Sequence, residues 1–375
     1  MDSWMRDNFD VLAEKRLNDI VLPGTHDSAA YVLAPVDGVN WHNRILSLLA
    51  RFARPCLRPW TLTQHLCIYR QLSEAGVRFL DVRVAWDSSR NDFMTSHTFA
   101  CTPLKTVLYA ILDFLSENTG EAVVLSVRPD WPHRAQFTPA RCSCLLALLS
   151  STCRGYLQPR QPQLPTLGEM TASGRRLLCF VEWLASSPPP PPTAPQQAQP
   201  RAPAATPSCT IAAKITTTTT TTTTSIDSYP GFADQHPEDI WVGAGCRTLW
   251  ADSDTPEGTV SGLLDLIAAL RRGGDSSDLR GLRDATYWYV SAAVTPTARS
   301  MARDCLAHPA SVGLRRLASE LEGRELPRLL AEGLAGIGAV CLDHPSPAAT
   351  AAVVRLNLMR PATGSGGPDG GGPVW

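Results

Sequence analysis

The 375-residue chain contains no uninterrupted apolar run of the roughly 18–20 residues that cross a bilayer, so a hydrophobic membrane-spanning helix is excluded. It also lacks an excess of either charge. Thirty-four basic against 35 acidic residues leave a formal net charge of −1, and no overall field draws the chain to nucleic acid or to an anionic membrane. The opening residues, MDSWMRDNFDVL, hold acids and no apolar centre of a secretory leader. The expected location is therefore the cytoplasm or the cytoplasmic side of a membrane. Eleven cysteines are scattered without a single C-x-x-C, and Cys142 with Cys144 is spaced too closely for a zinc ribbon. The thiols are expected to be reduced and mostly buried. No GxGxxG turn marks a dinucleotide site, which counts against an open doubly wound sheet.

What is present is a chain of 44% apolar content, large enough to bury a sizeable core. Residues 186–225 break its pattern with a run of prolines and a run of threonines, which cannot build a core and read as a disordered insertion. Residues 361–375 are a glycine-rich tail. Outside these segments, β-rich apolar runs recur at 19–22, 77–83, 92–97, 122–128, 176–181, 239–243, 286–291 and 337–343. Their lack of alternation is expected of strands buried on both faces. Helical periodicity appears at 61–75, 104–117, 140–151, 259–272 and 324–335. Strand–helix alternation of this length predicts one α/β domain, a closed parallel barrel of the (β/α)8 type. Its first part would span 1–185, and its second part 226–360 beyond the insertion.

In such a barrel, function gathers at the C-terminal ends of the strands. His26 and Asp27 follow the first predicted strand, Asp81 and Arg83 end the second, His97 ends the third, Arg128 the fourth and Asp343 the eighth. Two imidazoles, three carboxylates and two guanidinium groups on one rim suit phosphodiester cleavage. Histidine titrates near 6.5 and serves both proton transfers. Arginine is a permanent planar ligand for phosphate. Carboxylates orient imidazoles and stabilise their protonated forms. Asp81 reads either as support for this cluster or as a partner of Arg78, and Arg128 either as a ligand or as a partner of Asp130 or Glu121. Trp241 and Trp250 are candidates to stack on a sugar ring, or else core residues. The stretch 44–60, leucines mixed with Arg44, Arg51, Arg54 and Arg58, reads as a membrane-surface segment or as a helix beside the rim. His42, His65, His133, His236, His308 and His344 have no convergent partners and are assigned no role.

The stretches LPGTHDS, LTQHLCIYRQLSEAGVRFLDVRV, SHTF, LDFLSENTGEAVVLSVR, YVSAAVTPT and GAVCLD run in order through most of the chain outside the insertion. Together they resemble the X domain of phosphatidylinositol-specific phospholipases C, and most of all its small single-domain forms. The pairing of PGTHD with GVRFLDVR is the specific part. The resemblance implies an α/β fold, a distorted TIM (β/α)8-type barrel, and a metal-free and cofactor-free lyase acting on phosphatidylinositol or a glycosylated relative, as a monomer in peripheral contact with membrane. It implies His26 as general base aided by Asp343, and His97 as general acid aided by Asp27. Arg83 would stabilise the phosphate, Asp81 would orient Arg83 or a histidine, and Arg128 matches a basic head-group position. The large calcium-dependent relatives carry an acid where Arg83 stands and an asparagine where Asp27 stands; a guanidinium there would repel calcium and replace its charge. One departure concerns the fifth strand, where bacterial relatives place a further cation and this chain has Glu182 and Trp183. Two alternatives stay open: a metal-dependent glycerophosphodiester or sphingolipid phosphodiesterase, and a barrel that binds lipid without catalysis.

Overall fold

The computed structural model describes residues 1–34, 56–181, 238–242, 245–273, 285–308, 311–332, 334 and 336–359. The insertion, the tail, Glu182, Trp183 and residues 44–55 of the arginine–leucine stretch lie outside the described residues.

Eight strands form a parallel sheet: β1 (Leu22–Thr25), β2 (Phe79–Asp87), β5 (Val123–Pro129), β6 (Leu177–Val181), β7 (Trp241–Val242), β8 (Cys246–Trp250), β9 (Tyr287–Ser291) and β10 (Ala339–Leu342). Their order is β7-β6-β5-β2-β1-β10-β9-β8, so the last strand pairs with the first, as in a TIM-type barrel. Among the described residues no strand pairing joins β7 to β8, and the barrel is open there rather than closed.

Side-chain alternation divides this sheet into a lumen and an outer face. Phe79, Val124, Leu178, Tyr287, Tyr289 and Cys341 point inward and pack with Trp4, Met5 and Leu12 from the N-terminal segment. Leu80, Val82, Val123, Leu125 and Val181 point outward, against the helices Leu104–Glu117 and Pro139–Cys153. A second outer layer joins Leu249, Val290, Val340 and Leu342 to the helices Pro256–Arg271 and Pro347–Leu358. The lumen is close-packed at Gly24, where an added Cβ would stand 2.8 Å from Cys341 Sγ and 3.2 Å from Phe79 Cβ. Toward the strands' C-terminal ends the inward positions become polar: Asp81 and Arg83 on β2, Ser126 and Arg128 on β5, Thr248 on β8 and Ser291 on β9.

Three elements depart from the sequence reading. The segment 92–97 is not a parallel barrel strand. It is β3 (Asp92–His97), antiparallel to β2 and followed by β4 (Phe99–Pro103). Only residues 88–91 separate β2 from β3, too few for a parallel crossover. Asp87 closes this turn by accepting from Ser89 N–H at 2.9 Å, and Asn91 takes φ +51°. The strand β8 was not anticipated, because Cys246-Arg247-Thr248-Leu249-Trp250 mixes polar with apolar residues. The expected helix 61–75 is shorter: residues 56–61 are helical, 62–67 are not, and a helix resumes at Ile68–Ser73.

The ten cysteines among the described residues are unbridged, and six of them are buried. Among the described residues no helix is long and apolar enough to cross a membrane.

Candidate active site

The predicted rim residues meet over one cleft of about 660 Å³ at the C-terminal end of the sheet, lined by His26, Arg83, His97, Arg128, Trp250 and Asp343 among others. Trp241 is a correction. It is 7% exposed, packs on Phe180 with ring centroids 5.7 Å apart, and belongs to the lumen core rather than to the cleft. Its place on the two-residue strand β7 puts the indole between inward aromatics, where it fills volume.

The two imidazoles face one another with ring centroids 6.2 Å apart and planes at 76°. His26 Nδ1 lies 3.0 Å from Asp343 Oδ1, and Arg83 Nη2 lies 2.8 Å from His26 Nε2. An arginine N–H can only donate, so the network assigns the neutral ring a proton on Nδ1 and a lone pair on Nε2. His97 is fixed from its far side: Nδ1–H donates to the Thr61 carbonyl at 2.8 Å, which turns Nε2 toward His26. The Asp27 carboxylate stands between the rings, with Oδ2 at 3.4 Å from each Nε2, and its Oδ1 pairs with Arg83 Nε.

Arg83 and Arg128 are register partners on β2 and β5, so two like charges lie side by side. Asp81, one layer below them, relieves this: its Oδ2 is 2.6 Å from Arg128 Nη2 and 3.9 Å from Arg83 Nη2. Burial alone would push the Asp81 carboxyl up, but Arg128, Arg83 and His26 hold it below the ordinary carboxylate value. Arg78, the other partner considered for Asp81, pairs with Glu121 at the far end of the barrel. For His26, burial favours the neutral ring, yet Asp27 and Asp343 together outweigh burial and Arg83, and the pKa lies above 6.5.

The backbone shows how side chains at strand ends come to face each other. Among the described residues only four non-glycine positions have positive φ. Three of them directly follow a site residue: Asp27 (φ +41°) after His26, Thr98 (φ +67°) after His97, and His344 (φ +45°) after Asp343. Each left-handed residue costs roughly 1–2 kcal/mol and turns the chain off the strand line. Side-chain bonds hold these bends. Thr63 Oγ1 donates to the Asp27 carbonyl at 2.9 Å, and Asp130 Oδ2 accepts from Ser96 Oγ at 2.8 Å and from Thr98 N–H at 3.0 Å.

Sequence reasoning missed the segment 61–64, which holds His97 through the Thr61 carbonyl, the Asp27 carbonyl through Thr63 Oγ1 and the His26 carbonyl through Gln64 Nε2. It also missed Asp252, which lines the cleft two residues beyond β8. An acid just past a strand end was its signal, unread because the strand itself was not recognised.

His26, Asp27 and Asp81 each offer a ligand atom within 4.8 Å of the others, the one grouping of its kind among the described residues. The Arg83 guanidinium already contacts both of these carboxylates, so a fixed cation stands where a metal ion would bridge them.

No family model matches the chain. It is 35% identical over 133 residues to a PI-PLC X-box domain-containing protein of Dictyostelium discoideum, covering 35% of this chain and 16% of that protein. It is 26% identical over 189 residues to human PI-PLC X domain-containing protein 1, covering 48% and 57%. Both of these relatives are named for a PI-PLC X domain or X-box. Another is the variant-surface-glycoprotein phospholipase C of Trypanosoma brucei brucei, 29% identical over 136 residues, covering 33% of this chain and 37% of that protein. The chain thus spans little more than half, and often far less, of the relatives it matches. Among solved structures, the phosphatidylinositol-specific phospholipase C of Listeria monocytogenes superposes with a TM-score of 0.53 at 16% identity, over 95% of this chain and 98% of that one. The S. aureus phosphatidylinositol-specific phospholipase C gives 0.55 at 16%, over 95% and 97%. These likenesses establish the PI-PLC type of barrel.

Proposed function

We propose that the chain is a phosphorus–oxygen lyase that cleaves phosphatidylinositol, or a glycosylated relative, into diacylglycerol and an inositol 1,2-cyclic phosphate. The observation that carries this reading is the pair of imidazoles 6.2 Å apart at the mouth of one cleft, with Arg83 bonded to the ring of His26. The names and folds of the relatives support the substrate class.

In this reading Asp343 holds the Nδ1 proton of His26, and Nε2 accepts the proton of the inositol 2-hydroxyl. The freed oxygen attacks phosphorus. Protonated His97 gives its Nε2 proton to the leaving glycerol oxygen, so one proton enters at His26 and one leaves at His97. Asp27, beside both rings, stabilises whichever is charged. Arg83 neutralises the phosphoryl oxygens, and the phosphate that engages it also frees the His26 lone pair. With both rings neutral, Asp27, Asp81 and Asp343 against Arg83 and Arg128 leave one net negative charge. Binding a phosphodiester anion therefore favours uptake of a proton, and His97 is the group that needs one.

Phosphorus NMR of the protein with phosphatidylinositol vesicles should show a cyclic phosphate signal, absent for His26→Ala and His97→Ala. A linear monophosphate with no cyclic precursor would reject the reading in favour of metal-dependent hydrolysis. A chelator should leave the rate unchanged; loss of activity that calcium restores would show that Arg83 does not replace the ion.

The base must be neutral to act, and the pKa of His26 lies above 6.5. The rate should therefore fall as pH drops through that raised value, with the limb on the alkaline side of 6.5. In Asp343→Asn, which removes one of the two raising charges, the limb should move to lower pH. A limb that stays in place would show that Asp343 does not act on the base.

A further inference from the structure

The parallel ladder between β1 and β10 stops one rung early. His26 N–H donates to the Leu342 carbonyl at 3.1 Å, so the next rung would join His344 N–H to the His26 carbonyl. That rung is missing. His344 bends into the left-handed region and gives its N–H to the Thr63 carbonyl at 2.8 Å. The side-chain amide of Gln64 stands in its place. Gln64 Nε2 donates to the His26 carbonyl at 2.8 Å and to the Leu342 carbonyl at 3.1 Å. One buried amide, 2% exposed as a residue, thus bridges the ends of the two strands that deliver His26 and Asp343.

The link between these side chains is a single 3.0 Å contact, from His26 Nδ1 to Asp343 Oδ1. A separation of about 1 Å between the strand ends would break it. Removing the amide also strips the His26 carbonyl of a buried donor, which the rearranged chain must replace. The bend at His344 aims Asp343 at the ring, but it sacrifices the backbone donor that would have kept the strands together there.

We propose that Gln64 is a positioning residue: its amide replaces the missing rung between β1 and β10 and so holds Asp343 against the Nδ1 of His26. It touches no reacting atom. The catalytic consequence rests on the reading of His26 as the base; the coupling itself is a property of the folded protein.

The test is the titration of the His26 imidazole by NMR, in Gln64→Met, Asp343→Asn and the double variant. The charged and titratable groups facing this ring are Asp27 in its own turn, Asp81 and Arg83 on β2, His97 on β3 and Asp343 beyond β10. Of these, Gln64→Met releases Asp343, so the His26 pKa should fall in that variant. In the Asp343→Asn background the same substitution should move it no further. Where cleavage is measured, kcat should drop about 10- to 100-fold with KM for a soluble substrate little changed. Should Gln64→Met not fold, Gln64→Asn, which keeps a shorter amide, should give a smaller shift in the same direction. An unmoved titration in a folded variant overturns the proposal, and so does an equal shift in both backgrounds. If the titrations behave as stated while wild-type protein cleaves no inositol lipid, the functional reading fails and the positioning role stands.

Discussion

The His97→Ala protein will release diacylglycerol from phosphatidylinositol about 10²–10⁴-fold more slowly than wild type, yet it will still cleave an inositol phosphodiester whose leaving group is a nitrophenolate. The His26→Ala protein will cleave neither. An alkoxide leaves only when it is protonated, so loss of the acid costs about 10²–10⁴-fold on the lipid. A nitrophenolate leaves as the anion and needs no proton, so the same variant should retain most of its rate there. Loss of the base affects both substrates alike, because the attacking hydroxyl is the same. The geometry behind this division is the asymmetry of the two rings. The Nδ1 of His26 meets a carboxylate, which favours gain of a proton at Nε2, whereas the Nδ1 of His97 meets the neutral Thr61 carbonyl. Steady-state rates of both variants on both substrates decide the matter. Equal losses for His97→Ala on the two substrates would remove the acid role from His97.

The charged part of this site was legible in the sequence for a physical reason. Charges at the ends of strands buried on both faces have few structural uses, so His26, Arg83, His97, Arg128 and Asp343 stood out against apolar runs. The parts that stayed hidden act through the backbone. Gln64 works by its amide on two carbonyls, and Thr61 by its own carbonyl; neither leaves a mark in composition. The left-handed bends at Asp27, Thr98 and His344 were equally silent, although Asp and His tolerate that conformation better than most residues. In the fold, β6 and β9 read as continuous apolar or aromatic runs because both of their faces are covered. β8 did not, because its inward residues Thr248 and Trp250 face the cleft mouth. The direction of β3 was invisible to periodicity, which is the same for parallel and antiparallel strands. Its four-residue separation from β2 held the information.

At the opposite end of the barrel, Glu121→Gln should lower the melting temperature by about 10 °C while leaving the site intact. Arg78 is fully buried, and every one of its five N–H groups has an acceptor. Nε and Nη2 engage Glu121 Oε2 at 2.7 and 2.6 Å, Nη1 donates to the Leu72 and Val77 carbonyls at 2.8 Å each, and Nη2 also reaches the Asp2 carbonyl at 2.6 Å. The Phe114 ring lies 4.7 Å from the guanidinium carbon. Glu121 in turn accepts from Arg6 N–H at 2.9 Å and Met5 N–H at 3.4 Å, and so fastens the N-terminal segment over the bottom of the lumen. Burial pulls the Arg78 pKa down and pushes the Glu121 pKa up, which marks both charges as dependent on each other. Neutralising Glu121 leaves an uncompensated buried guanidinium, and breaking such a pair costs about 3–5 kcal/mol. The exposed pair Arg70–Glu74 has no desolvated charge to strand, so Glu74→Gln serves as the control and should leave the melting temperature in place. Arg78 lies before Phe79, where the parallel pairing of β2 with β5 begins, whereas Arg83 lies where that pairing ends and Asp81 one inward position before it. At temperatures well below its own transition, the Glu121→Gln protein should therefore keep the wild-type His26 titration. A melting temperature within about 2 °C of wild type would show that the pair is replaceable and that the N-terminal segment is held without the Glu121 charge.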